Sequence, residues 1–519
     1  MNNTNGSNTV QAAWLGAGRL VSLGLSIASV AILSRYLSKG DYGTYKQILY
    51  VYSTLQVIFT LGMPKTYSYF LARASVEEGK DIVRIMNKLF LVLGIFLAAV
   101  LYVASSVFAD ILNNPDLKSN LQLFSITPVF LFPLLGIEGI VATYRKAYIY
   151  TVYVISCSLF SLACVIVSVI WFGASVQNVV GGFIISSLLR CVVGLYLESH
   201  LFRNVQRRAS TIRIGDILKY SIPLLYASIC GIIISSANPF FVSRYFGTET
   251  FAEFSNGFIE LPIAGIVINS AATVLLPVFS RMVYNRQDSE QIIKLWRSVA
   301  EKSAKIIFPL AVFSFFYAEQ ILVLFYGNQY ANSAIYFRII TVVNLIRIVP
   351  YAPVMLALGK MKEFARLHMM TAIMIVVADY LCVQFVHTAY AIALVSVLCT
   401  TFCICSMLRY ICKDLKIPVM ALIPYRILLL LATLSAVSSG FAKGLSTLLP
   451  DMPVIYLLAV SSILAAIFYF CLCKFFNISY SDILNTVVGR QWNPTTVWTE
   501  IQKRTTSLFK LKGEGGNDK

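Results

Sequence analysis

Fourteen long apolar stretches, each joined to the next by a short polar connection, constrain this chain more than any other feature. A helix needs about 20 largely apolar residues to cross the hydrocarbon core of a bilayer. The stretches run over 13–37, 45–71, 88–109, 120–142, 149–172, 177–200, 217–243, 252–277, 304–326, 333–357, 367–387, 389–411, 420–442 and 453–474. The bulk figures agree: 58% of the 519 residues are hydrophobic and only 13% charged, against about 25% charged in a soluble protein. The reading is an all-α polytopic membrane protein of about 14 transmembrane helices.

Orientation follows from where the cations lie. The formal charge of +18 would suggest nucleic acid in a soluble protein. Here Lys and Arg concentrate in alternate short connections, which is the signature of membrane orientation, and no nucleic-acid partner is expected. Arg73, Lys80 and Arg84, then Arg145 and Lys146, then Arg203, Arg207, Arg208 and Arg213, then Lys360 and Lys362, then Lys413 and Lys416 all fall on one side. The other side carries little beyond Arg35, Lys39, Lys118, Arg244 and Lys443. That bias predicts a multi-pass membrane protein with both termini cytoplasmic. After the last stretch comes a basic tail in which Trp492 and Trp498 alternate with Arg490, Lys503 and Arg504, a composition suited to the membrane surface.

The chain repeats itself. Ser34-Arg35-Tyr36 falls on Ser243-Arg244-Tyr245 at an offset of 209, and both copies sit between two long apolar stretches. Tyr42 and Tyr45 fall on Phe251 and Phe254 at the same offset. Within the first helix Arg19, Ser22, Ser26 and Ser29 share one face; they fall on Ser228, Gly231, Ser235 and Asn238 in the seventh. Helices one and seven run in the same direction, so the repeat is parallel, and ligand sites in such proteins lie between the repeats. The expected organisation is an N-lobe over 1–216, a C-lobe over 217–416, two extra helices over 417–475, and a cytoplasmic basic tail over 476–519. The lobes would be pseudo-symmetric six-helix bundles around a central cavity.

Polar residues inside apolar stretches mark candidate sites, because burying them in lipid is costly. Arg19, Lys46 and Lys65 give the N-lobe a cationic interior, with Ser26 and Gln56 on the same helices. Two readings of the serines stand: close packing of small residues, or the wall of a cavity. Arg19 and Lys65 lie near the inner end, where a long side chain can also snorkel to water. Pro64 is expected to kink helix two. Asn256 and Glu260 are placed on helix eight, and Glu260 with Asp379 are candidates for ion coupling, with pairing to Arg as the structural alternative. Arg and Lys facing polar groups suit an anionic amphiphile, since phosphate oxygens accept from both.

Several chemistries find no support. The eleven cysteines lie almost all in apolar stretches, Cys403-x-Cys405 and Cys471-x-Cys473 lack zinc spacing, and the three histidines do not cluster. No metal site, no cofactor and no catalytic residue is assigned. A phosphate-binding Gly-x-x-x-x-Gly-Lys-Ser/Thr loop is missing from the sequence, and no long loop offers room for a glycosyltransferase or polymerase site, so an enzyme is not expected.

The order of Leu33-Ser-Arg-Tyr-Leu-Ser38, Asp41-Tyr-Gly-Thr-Tyr45, Gly62-Met-Pro-Lys65 and Leu275-Leu-Pro-Val-Phe-Ser280 resembles the Wzx-type lipid-linked oligosaccharide flippases. These belong to the superfamily that also holds multidrug and toxin extruders and the lipid II flippase. The resemblance spans helices 1–12 in layout, and its motifs are short. It implies alternating access that carries an undecaprenyl-pyrophosphate-linked repeat unit of O-antigen, capsule or exopolysaccharide from the inner to the outer leaflet. It also implies that basic residues of helices one and two attract the pyrophosphate, with Arg19 the best positional match and Lys46 and Lys65 weaker ones. Partners implied are the lipid-linked oligosaccharide, membrane lipids and a polysaccharide polymerase. Glu260 stands where the lipid II flippases would carry a cavity Arg, which favours a surface-polysaccharide unit. A cation-coupled drug antiporter of the same fold is the alternative, and a membrane-embedded polymerase a more distant one.

Overall fold

A computed structural model describes residues 8–285, 288–448, 450 and 452–481. Among these residues every regular element is helical. This is what a bilayer demands, because a spanning backbone must satisfy its own hydrogen bonds. Ten helices are long and apolar enough to cross a membrane, or eleven if Ser289–Phe316 and Ala318–Tyr326 form one span. Each of the fourteen expected stretches falls on helix. Those over 45–71, 217–243 and 333–357 are not among these ten or eleven, so a count of fourteen rests on the sequence.

In chain order the helices are α1 (Asn8–Tyr36), α2 (Lys39–Phe59), α3 (Thr66–Leu71), α4 (Val76–Val103), α5 (Ser105–Ile111), α6 (Asp116–Phe124), α7 (Thr127–Leu131), α8 (Ile137–Thr143), α9 (Ala147–Trp171), α10 (Val176–Leu201) and α11 (Ile214–Gly257). They continue as α12 (Pro262–Tyr284), α13 (Ser289–Phe316), α14 (Ala318–Tyr326), α15 (Ser333–Ile346), α16 (Ala352–Ala357), α17 (Met361–Phe385), α18 (Ala389–Leu415), α19 (Val419–Leu422), α20 (Tyr425–Ser446) and α21 (Val454–Phe475).

The breaks have local causes. Ser38 separates α1 from α2 and accepts a hydrogen bond from the Asp41 backbone N–H at 3.1 Å, a helix N-cap. Ser75 and Glu78 form a reciprocal capping box at the start of α4. Helix two does not continue through a kink at Pro64. It ends at Phe59, because Leu61 and Gly62 both take left-handed backbone angles, and Pro64 then starts a short 3-10 turn. The expected eighth helix also starts later. Leu261 is extended ahead of a proline, and Pro262 opens α12, where its missing N–H costs nothing. Asn256 therefore belongs to the end of α11, and Glu260 to the connection between α11 and α12 rather than to helix eight.

Gly247 is the counterpart of Ser38 at the 209-residue offset. It interrupts α11 with φ 82° and ψ 173°, a conformation essentially reserved for glycine. The chain turns at the same register in both copies of the repeat.

The described chain divides into two compact units. The first holds residues up to 260 together with 317–346 and 358–411. In it α1 lies along α9, α2 along α11, α9 along α10, and α11 along α17. Part of its core is aromatic, with Phe241, Phe251, Phe254 and Tyr336 packed around Ile392 and Ala393. The second unit comprises 261–316, 347–357 and the chain from 412 on. In it α13 packs on α20, α20 on α21, and α12 on α16. Lys305 is buried there, paired with Glu301 at 2.8 Å and donating to the Ser479 carbonyl at 2.9 Å. Tyr480 returns a hydrogen bond to the Lys305 carbonyl at 3.1 Å, which fastens the segment after α21 onto α13. The tryptophan-bearing part of the basic tail lies outside the described residues.

Candidate functional site

Two groups of the expected residues assemble in the first unit, and they are distinct. The first gathers around Arg19. Its guanidinium pairs with Glu138 of α8, and the Glu138 carboxylate also accepts from the Tyr150 hydroxyl of α9 at 3.2 Å. One turn further, Ser22 and Ser158 share a hydrogen bond of 3.0 Å. Gly18 permits this approach of α1 to α9, since a Cβ there would lie 3.2 Å from Thr151. The Arg19 side chain is still 66% exposed. A spanning guanidinium that open needs water, from a wet cavity or from the interface. Ser26 is likewise exposed, which leaves it off the packed seam.

Arg190 of α10 completes the group. It lies within electrostatic reach of Tyr150, Tyr153 and Tyr52, and Tyr153 donates to its backbone carbonyl at 3.1 Å. Neither Glu138 nor Arg190 was singled out from the sequence. Glu138 is a lone charge inside an apolar stretch and Arg190 shares its stretch only with Glu198, so the rule that selected Arg19 would have found both.

The second group lies where α2 meets α11. Tyr42 donates to Asn256 at 2.6 Å, and Lys46 stands over the Tyr42 ring at 5.3 Å. Asn256 is fully buried, and its amide nitrogen has no partner among the described residues. Gln47 reaches Ser243 at 2.7 Å, Tyr50 donates to the Ser236 carbonyl at 2.9 Å, and Lys39 pairs with Glu253 at 2.8 Å. Gly43 makes the contact possible: a Cβ there would sit 2.1 Å from the Thr248 carbonyl oxygen. Every one of these bonds joins one copy of the repeat to the other.

The Ser-Arg-Tyr marks bind in the same crossed fashion. Arg35, at the end of α1, donates to the Leu324 carbonyl in the last turn of α14. Arg244 donates to the carbonyls of Asp110 and Ile111 in the last turn of α5. Cations at helix C-termini satisfy orphan carbonyls and oppose the negative end of the dipole. Ser34 and Ser243, the first residues of the two marks, are both fully buried.

The remaining candidates stand apart. Gln56 lies half-buried further along α2, and Glu260 is exposed in its connection. Lys65 ends the 3-10 turn, and its side chain lies outside the described residues. Asp379 of α17 is fully buried, and neither of its oxygens has a hydrogen-bond partner among the described residues. Ile375, one turn away on the same helix, packs against Ala237 and Cys399. A carboxylate so placed is destabilising, by several kcal/mol in typical cases; within membrane spans such residues commonly serve ion or proton relays.

With this geometry in view, the likenesses to other proteins are informative. A family model described as "Polysaccharide biosynthesis protein" matches residues 32–335. Among curated proteins, the succinoglycan biosynthesis transport protein ExoT of Rhizobium meliloti (strain 1021) is 24% identical over 339 residues. That match covers 63% of this chain and 64% of the relative, so the chain spans less than two thirds of that relative's length. Among solved structures, the lipid II flippase MurJ in an inward closed conformation superposes with a TM-score of 0.66 at 13% identity, covering 90% of this chain and 99% of that one. An inward-facing multidrug resistance MATE family transporter of the MOP superfamily gives 0.62 at 13% identity, covering 76% and 98%. At such identities the structural likeness concerns the fold: this is the helical architecture of that superfamily.

Proposed function

Because the chain belongs to the polysaccharide biosynthesis protein family, we propose that it is a flippase. Its cargo is an undecaprenyl-pyrophosphate-linked repeat unit of a surface polysaccharide, moved from the inner to the outer leaflet of the cytoplasmic membrane by alternating access. The observation that carries this reading is the Arg19–Glu138 pair with Arg190 beside it, on helices otherwise built for lipid. Guanidinium groups match phosphate oxygens two at a time. Glu138 supplies a counter-charge that holds Arg19 until a pyrophosphate replaces it, so the cation is not left unpaired between cycles. Tyr150 and the serines of α1 and α9 offer hydroxyl partners alongside. Both termini are cytoplasmic in this proposal, the lobes are 1–216 and 217–416, and a polysaccharide polymerase takes the product on the far side.

The crossed bonds between α2 and α11 support an alternating-access reading. They join the two copies of the repeat at the end that the charge bias assigns to the outer face, which is the arrangement of a closed outer gate. Lys46, Asn256 and Tyr42 act in this gate rather than as primary ligands of the cargo. Asp379 carries the coupling ion or proton. It is preferred to Glu260, which is exposed in a connection. Asp379 is also the observation that would favour an antiporter of small cations.

The test is deletion of the gene, followed by restoration with the intact chain or with Arg19→Ala. Deletion should trap the lipid-linked unit in the inner leaflet, the intact chain should release it, and Arg19→Ala should reach the membrane without releasing it. A polymerase would instead leave single units on the outer face. Drug sensitivity with normal glycan export would identify an antiporter.

A further inference from the structure

A cavity of about 570 Å³ opens between α4, the α7 region and α10, and none of the residues of the two groups described above lines it. Its volume lies in the range of small-molecule sites, about 300–1,000 Å³. α4 and α10 run antiparallel here, so their residues form successive rungs. At one end stand Lys80, Arg84 and Arg203. Lys80 is committed to the backbone, donating to the carbonyls of Phe202 and Val205 at 3.0 and 2.8 Å. The side chains of Arg84, Arg203 and Lys88 make no hydrogen bond or ion pair among the described residues, and all three are exposed.

In the middle rung Asn87 donates to one oxygen of Glu198. The other oxygen, Oε1, is buried with no partner, on a residue only 5% exposed that lines the cavity. The far end is apolar, formed by Leu91, Phe130 and Leu195. The order is therefore cations, then a buried acceptor, then hydrocarbon.

From the cationic and apolar ends of this cavity we propose a binding site for an anionic glycerophospholipid such as phosphatidylglycerol. Its phosphodiester meets Arg84, Lys88 and Arg203. Its acyl chains lie along Leu91, Phe130 and Leu195. Four cations against one carboxyl in the lining favour an anionic over a zwitterionic lipid. Basic pockets between spanning helices on the cytoplasmic side are suited to anionic headgroups, and the proposed topology puts this end in the inner leaflet. The site goes beyond the flippase reading and does not depend on it.

The experiment takes the full-length chain from nanodiscs holding equal amounts of phosphatidylglycerol and phosphatidylcholine and counts retained lipids by native mass spectrometry. The intact chain should retain phosphatidylglycerol in preference. Arg84→Gln/Lys88→Gln/Arg203→Gln should lose that preference by roughly tenfold or more, since the attraction of an anionic headgroup rests on these cations. Leu195→Trp, which fills the apolar end without changing charge, should lower retention of both lipids. Displacement by phosphatidylglycerol but not by glycerol 3-phosphate would confirm that the ligand is a lipid. Equal retention of the two lipids, an unaltered triple variant, or displacement by glycerol 3-phosphate would overturn the proposal. So would displacement by undecaprenyl pyrophosphate together with loss of export in the triple variant, which would make this a cargo site. Export that fails in Arg19→Ala while phosphatidylglycerol retention persists separates this site from the proposed function.

Discussion

Asp379 and Arg19 are both ionisable residues on spanning helices, and their surroundings assign them different work. Arg19 is open and paired, so it can exchange Glu138 for another anion at small net cost, as exposed ion pairs generally can. Asp379 is closed and without a hydrogen-bond partner among the described residues. Any change in its charge alters a buried, low-dielectric site and so couples strongly to conformation. Asp379→Asn keeps the volume and removes the charge. Transport by the intact chain in proteoliposomes should accelerate when an ion or proton gradient is imposed, and Asp379→Asn should run at one rate with or without it. A variant that still responds to the gradient would remove Asp379 from the coupling role.

At the scale of elements, the two marks at the 209-residue offset turn out to be reciprocal caps. Arg35 closes the end of α14 and Arg244 the end of α5, each reaching into the other copy of the repeat. The sequence showed where the marks were and that they matched, and it suggested only a headgroup contact for Arg35. A side chain's partner 289 residues away in sequence leaves no trace in local pattern. If these caps hold the α2–α11 contact closed, removing both should open it. In a chain whose own cysteines are replaced, Lys39→Cys and Glu253→Cys should be joined readily by a short bis-thiol reagent, which restores the reach of the native ion pair whose side-chain ends meet at 2.8 Å. Adding Arg35→Ala and Arg244→Ala should slow that cross-link by roughly tenfold, the equivalent of about 1.4 kcal/mol, a modest fraction of what two exposed charged hydrogen bonds contribute. An unchanged rate would mean that the caps serve each helix end alone.

For the whole molecule, the strongest expectation is topological. With fourteen crossings, an alkaline phosphatase reporter fused after Asn113 or His387 should be active outside, and one fused after Arg145 or Lys360 inactive. The fusions after Lys360 and His387 matter most, because they test whether the stretches over 45–71, 217–243 and 333–357 cross the membrane. With the bent pair over 304–326, those three make up the four stretches outside the ten clear spans. Should the pattern invert partway along, one of the three stays on one side.

Hydrophobic runs determined the all-helical class and the placing of most helices, because both follow from the transfer of side chains between water and lipid, a property of composition over a window. Break points were legible only where glycine or proline acts through local backbone sterics, and even then the effect of Pro64 and Pro262 was clearer in the folded chain. Asn256 and Glu260 left helix eight for that reason. The pairing of Arg19 with Glu138, the reach of Arg190, the isolation of Asp379 and the rungs of the phospholipid cavity were decided by tertiary packing alone. They depend on which helix faces which, and apolar stretches of similar length and hydropathy do not encode that choice in any one of them.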